Sequence, residues 1–330
     1  MFYRRKILLA LLESFGGSLK RTDCQKLLFL FCARRRKSYY DFFPYKYGSF
    51  SFILHQDKKR LTDLGFLTDQ DIFRLNGHHS FVHDLLLEDR VALQSFVNEI
   101  GDLRGEKLIR KTYLEHPCYA SRSKIASTVL EPDEYEQVSS MWNTDLTSCL
   151  FTLGYEGMSI DAFLNVLLSN NVAALVDVRK NPLSMKYGFS KQKLADYTHS
   201  NGMLYFHVPE LGVPSSLRQN LSNSTAYQKL FEYYFSQILP AQGDAIAKLK
   251  ALVHEEGRIA LTCFEADHQF CHRHKLVEYL KTDPCFDTPV VHLKKTCIQD
   301  VPIALSAEEP FSCGLWSENT LHSSGRSGLP

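Results

Sequence analysis

The sequence predicts an α/β protein: a mostly parallel, Rossmann-like sheet preceded by a winged helix-turn-helix and a helical connector. Three observations lead there. From Cys149 onward, five short apolar runs rich in β-branched residues alternate with helical stretches, the rhythm of a parallel sheet covered on both faces. Within the first 75 residues, three short helical patterns precede a hairpin-like segment, the order of a winged helix. Charge is also divided unequally: residues 1–60 hold fourteen Lys or Arg against four Asp or Glu, net +10, and residues 61–330 hold 24 against 33, net −9. A basic front end of this kind points to a polyanion-binding segment.

The elements follow in chain order. Ile7, Leu8, Leu11, Leu12 and Phe15 recur at helical spacing, and Gly16-Gly17 ends that helix. Thr22 is placed to cap a second helix through CQKLLFLFCARRRK. In SYYDFFPYKYG, Pro44 and Gly48 exclude a continuous helix. Ser49 or Ser51 can cap a third helix through FILHQDKKRLTDLG, and FLTDQDIFRLNG reads as the strands of a wing. In such a module, residues 1–75, Lys58, Lys59 and Arg60 of the third helix and Lys46 of the hinge meet DNA phosphates. Those contacts supply affinity and salt dependence but not sequence choice. The same module used for dimerisation leaves them solvated. Residues 76–148 read as a helical connector in which EPDEYEQ faces solvent.

Residues 149–300 carry the α/β domain. Its strands are CLFTLG, VAALVDVR, MLYFHV, RIALTCF and PVVHL; its helices are DAFLNVLLSN, SKQKLADYTHSNG, TAYQKLFEYYFSQIL, GDAIAKLKALVHEEG and CHRHKLVEYLKTD. Residues 301–330, rich in Ser and Gly, are expected to form a flexible tail. The composition is that of a soluble protein: 44% hydrophobic and 23% charged, with no apolar run of membrane-spanning length. MFYRRKILLALLESF lacks the uninterrupted apolar core and cleavage site of a signal peptide. Nine irregularly spaced cysteines fit a reducing compartment, so a cytoplasmic location without a membrane partner is expected. The sequence sets no oligomeric state.

Ligands of an open parallel sheet bind outside the carboxyl ends of its strands. The residues there are Tyr155-Glu156-Gly157, Asp177-Val178-Arg179, Pro209-Glu210-Leu211-Gly212 and Cys263-Phe264-Glu265, the last followed by Cys271-His272-Arg273 at a helix start. Asp177, Glu265 and Glu156 are candidate working carboxylates, although Asp177 has an alternative structural role in pairing Arg179. Cys271 reads either as a nucleophile, its pKa lowered by the helix N-terminus and Arg273, or as a buried inert thiol. Cys263 and Cys271 stand eight apart with no second matching pair, a spacing that does not announce zinc. No metal and no cofactor are therefore expected.

Four motifs in the right order, TLGYEG, DVR-xx-PxS (Asp177 to Ser184), GFSKxxL (Gly188 to Leu194) and CFExxxxxCHR (Cys263 to Arg273), resemble the domain of unknown function 488 family from Thr152 to about Leu293. The family usually has a second glycine where this chain reads Leu211-Gly212-Val213. YDFFPYKYGSFSF resembles a winged-helix module found joined to such domains.

A DNA-binding module beside carboxylates and arginines leads to a DNA glycosylase that hydrolyses the N-glycosidic bond of a modified base, with a role in anti-phage defence. Asp177 and Glu265 divide the acid and base roles, and Glu156 stands in reserve. Arg179, Arg273 and Lys191 hold phosphates of double-stranded DNA. Tyr155, Phe189 and Tyr205 stack on the extruded base, and Ser184, His272 and Cys271 line the substrate. Two alternatives remain at this stage: a DNA-binding regulator whose α/β domain senses a nucleotide-like ligand, and a Mg²⁺-dependent nuclease.

Overall fold

A computed structural model describes residues 1–68, 72–77, 80–218 and 224–295. The expected tail at 301–330 and the tip of the expected wing at 69–71 lie outside these residues. Helix α1 (Tyr3–Ser14) buries Ile7 through Leu12, and α2 (Arg21–Arg35) is buried from Asp23 through Ala33. Helix α2 starts before Thr22, from an N-cap at Lys20 without a side-chain cap, so Thr22 lies inside its first turn. The two-residue strands β1 (Ser18–Leu19) and β4 (Phe73–Arg74) pair antiparallel, and β2 (Phe43–Tyr45) pairs with β3 (Gly48–Phe50) as a hairpin. Ser51 caps α3 (Phe52–Asp63) as expected, accepting from the Leu54 amide at 3.2 Å.

Residues 76–148 hold α4 (Leu87–Ile100), α5 (Gly105–Glu115), α6 (Ala126–Val129) and α7 (Pro132–Ser140). They are more than a connector. Leu85, Leu93, Phe96, Ile100, Leu108 and Tyr119 share one core with α1 and α2, so the expected boundary at residue 75 cuts through a packed interior. The same packing closes the charge asymmetry. Arg4 and Arg5 pair with Asp57, Arg34 with Glu99 and Glu115, Arg35 with Asp89 and Lys37 with Glu88. Lys58 is buried, while Lys46, Lys59 and Arg60 stay exposed. Much of the basic stripe is thus spent on acids that lie far along the sequence, and α3 keeps only part of its expected DNA-facing charge.

The second half is an α/β layer: β5 (Cys149–Gly154), α8 (Ile160–Ser169), β6 (Ala174–Asp177), α9 (Lys191–Ser200), β7 (Leu204–His207), α10 (Ser224–Tyr233), α11 (Gly243–Glu256), β8 (Arg258–Cys263), α12 (His272–Leu280) and β9 (Val290–His292). The five strands are parallel, in the order β7-β6-β8-β5-β9. A Rossmann sheet sets its first two strands side by side; here β8 lies between them. Strands β5, β6 and β8 are buried along their whole length and form the interior of the sheet, whereas β7 and β9 are partly exposed and take the edges. One face packs Phe151, Leu153, Phe163 and Phe189, and the other packs Leu150, Val176, Leu249, Leu261 and Leu276. Among the described residues no helix is long and apolar enough to cross a membrane.

The halves are joined by a polar clasp in an apolar seam. Asp161, in the first turn of α8 and fully buried, accepts from Ser51 Oγ (2.6 Å) and from the Phe52 and Ile53 amides (2.8 and 3.0 Å). It therefore satisfies orphan donors at the start of α3 from across the junction. Phe43, Phe50 and Phe52 pack into the core beneath β5.

Candidate functional site

Strand β6 connects toward β7 and β8 connects toward β9, on opposite sides, so their carboxyl ends bound the crevice where an open sheet holds ligands. The two ends are in register, with Asp177 opposite Thr262. They are built very differently.

The β6 end is closed on itself. Asp177 is fully buried and takes a bidentate pair from Arg179, Nε to Oδ1 at 2.8 Å and Nη2 to Oδ2 at 2.5 Å. The Arg179 amide and the Tyr205 hydroxyl add 3.1 and 2.7 Å bonds to the same carboxylate. Arg179 Nη1 donates to the Tyr155 hydroxyl (2.9 Å) and the Phe189 carbonyl (2.8 Å). Burial, then Asp177, drives the Tyr205 hydroxyl pKa well up; Asp177 holds Arg179 firmly charged against its burial. Tyr155 stacks on Phe189 with centroids 4.3 Å apart, and both rings are buried. These placements revise several expectations. Asp177 is an ion-pair anchor whose acceptor sites are filled, not a free acid or base. Arg179 is no phosphate clamp, and Tyr155 and Phe189 pack in the core instead of meeting a base.

The β8 end is assembled from soft donors and one carboxyl. Cys263, Cys271 and His272 are buried, with exposures of 1%, 1% and 2%. His272 Nδ1 lies 3.7 Å from Cys263 Sγ and 3.8 Å from Cys271 Sγ, and its Nε2 lies 3.2 Å from the Val178 carbonyl. Glu265 is half-buried with Oε2 3.3 Å from Cys263 Sγ. Burial, then the Cys263 charge, pushes its pKa up. Burial also raises Cys271, followed by Cys263 and Glu265 and opposed by Arg273. The expected thiolate activation at the helix start is thus overruled by desolvation.

Arg273 is buried and holds the loop rather than a phosphate: Nη1 and Nη2 donate to the Glu265 and Ala266 carbonyls at 2.6 and 2.9 Å. The loop lies so close to β5 that a Cβ on Gly154 would fall 1.7 Å from the Glu265 carbonyl oxygen, so only glycine fits there. Glu156 is exposed and accepts from the Ala266 amide at 3.0 Å, tying the same loop from outside.

Of the remaining candidates, Lys191 is exposed at the start of α9, and half-buried Ser184 accepts from the Lys186 amide. Sequence reasoning passed over Lys186, whose Nζ donates to the Tyr155 carbonyl at 2.9 Å. It also missed an apolar rim: Leu183, Met185 and Tyr187 after β6, and Phe264 and Phe270 after β8, are exposed. Their signal was large apolar residues in segments otherwise read as loops. Cys263 went unassigned because its partners come from eight and nine residues further on.

Residues 159–280 match the family described as Domain of unknown function DUF488. That stretch holds both crevice-forming ends and three of the four motifs, with TLGYEG just before it. No curated protein and no solved structure matches the chain.

Proposed function

We propose that the chain is a DNA-acting hydrolase that cleaves the N-glycosidic bond of a modified base, taken as a nucleotide extruded from the duplex. One observation carries the reading: a half-buried carboxyl, Glu265, stands at the crevice between the β6 and β8 ends. Exposed Phe264, Phe270, Leu183 and Met185 extend from the flanking loops, and Lys180, Lys191 and Lys193 are exposed on the same segment after β6. A flat heterocycle can lie on the first set and its phosphates can meet the second. Glu265 takes a proton from water, whose oxygen bonds to the sugar anomeric carbon. The carbon–nitrogen bond breaks, its electron pair passes to the base nitrogen, and Glu265 returns the proton there. Asp177 leaves the catalytic set and positions Arg179 and Tyr205.

The front half supports delivery of DNA. Its elements run α1, β1, α2, β2, β3, α3, β4, and we read the three helices and the β1–β4 pair as a winged helix with the β2–β3 hairpin set between α2 and α3; Lys46, Lys59 and Arg60 are exposed. We extend the proposal to a cytoplasmic role in defence against phage DNA that carries bulky modified bases.

The test incubates the full chain with duplex DNA of modified and unmodified bases, then treats it with alkali. The expected result is breakage only after alkali, only in modified DNA, and lost on Glu265→Gln. Intact DNA with tight sequence-selective binding overturns hydrolysis in favour of a regulator. Breakage without alkali overturns it in favour of a nuclease.

A further inference from the structure

The sequence spacing argued against a metal, yet folding places three good ligands around one point. We infer that Cys263, Cys271 and His272 form a binding site for a divalent ion of the zinc class, with the ion's open position beside Glu265. The sulfurs and His272 Nδ1 all lie within 4.8 Å of one another. With zinc–sulfur bonds of about 2.3 Å and zinc–nitrogen bonds of about 2.0–2.1 Å, the sulfur–nitrogen edge of a tetrahedron is about 3.6 Å. The observed edges are 3.7 and 3.8 Å. These donors already stand near coordination distance.

The histidine is oriented for the task. A carbonyl only accepts, so the 3.2 Å contact between His272 Nε2 and Val178 O puts the N–H on Nε2. The Nδ1 lone pair then faces the two sulfurs. A ligating histidine whose other nitrogen donates to a backbone carbonyl is the usual outer-shell arrangement of a metal site. The carbonyl is itself held, because the Val178 amide donates to Thr262 O of β8 at 3.2 Å. Both neighbouring strands therefore fix the ligand.

Glu265 meets this cluster through Oε2, 3.3 Å from Cys263 Sγ. Three protein ligands with a carboxyl beside the fourth position is the pattern of catalytic rather than structural zinc. An ion there lowers the pKa of bound water toward ~7. The role of that water rests on the hydrolase reading above, whereas ion binding does not.

The experiment measures metal content of the full chain purified from zinc-supplemented cells, and the absorption spectrum after exchange into Co²⁺. About one zinc per chain is expected, with tetrahedral cobalt bands and sulfur-to-cobalt charge transfer. Cys271→Ser should lose the charge-transfer intensity in part and bind zinc at least tenfold more weakly, while Glu265→Gln retains the ion. The wild-type cobalt spectrum keeps the test decisive if the serine variant does not fold. Substoichiometric metal without charge transfer overturns the site, and so does a Cys263–Cys271 disulfide found by peptide mapping of the unreduced chain. One zinc per chain without any base release removes the hydrolase reading and leaves the site standing. Base release by a chain that binds neither ion does the reverse.

Discussion

The carboxyl ends of β6 and β8 lie side by side in register, and each carries an acid, yet they do opposite things. At β6, Asp177 is saturated by Arg179, Tyr205 and a backbone amide. At β8, Glu265 is only half-buried and accepts from the Cys263 thiol. Position at a strand end confers only the opportunity to act. Whether a carboxyl works or anchors depends on what fills its acceptor sites and how far water is excluded. The helical half repeats the contrast. Asp57 is closed by Arg4, Arg5 and Tyr40, whereas the buried amino group of Lys26 donates only to the Ser49 carbonyl among the hydrogen bonds described, at 2.7 Å.

Breaking the β6 end should have the largest effect. Asp177→Ala strands a buried guanidinium, and chemical denaturation should show a loss of about 3–5 kcal/mol. A variant that unfolds like wild type but loses base release would return Asp177 to the catalytic set and abolish the contrast.

Lys26 gives the next effect and a pH signature. Burial lowers its pKa to about 7, against ~10.4 in the unfolded chain. Between those values the unfolded chain binds the extra proton, so this group's contribution rises with pH from about 7 to ~10.4 and is lost as pH falls through 7. Lys26→Met should therefore be the more stable protein at pH 6, by on the order of 5 kcal/mol. The gap should shrink steadily by pH 10 in paired melting curves. An unchanging gap would mean that Lys26 is not held neutral.

Gly154→Ala sharpens the β8 side. Its Cβ would meet the Glu265 carbonyl, and overpacking of this kind costs about 1–3 kcal/mol. Because the displaced segment carries Glu265, base release should fall further than the melting temperature alone explains. Full activity in a folded variant would show that the loop position is dispensable. The smallest stability change belongs to Glu265→Gln, within about 1 kcal/mol of wild type because the isostere keeps its shape, alongside loss of base release. A large destabilisation there would make Glu265 another anchor like Asp177.

The strand ends were legible because local signals set them: Gly154, Asp177 and Cys263 each close an apolar run. Ser51 was readable as a cap for the same reason. Thr22 was not, because α2 begins from Lys20 and Arg21 with no side-chain signal. The roles of the arginines were hidden. The Arg179 guanidinium donates to the Tyr155 hydroxyl and the Phe189 carbonyl, and that of Arg273 to the Glu265 and Ala266 carbonyls, partners that no spacing rule connects to them.

By itself the sequence determined the alternation of five strands with helices, the acids and thiols at their ends, and the count of basic residues at the front. Those follow from periodicity and from side-chain chemistry along the chain. Only tertiary structure decided that β8 enters between β5 and β6, that the front-end arginines are neutralised by acids up to 81 residues away, and that Cys263 meets Cys271 and His272. Burial and through-space pairing depend on which surfaces the core brings together, and that information is written in no single stretch of the chain.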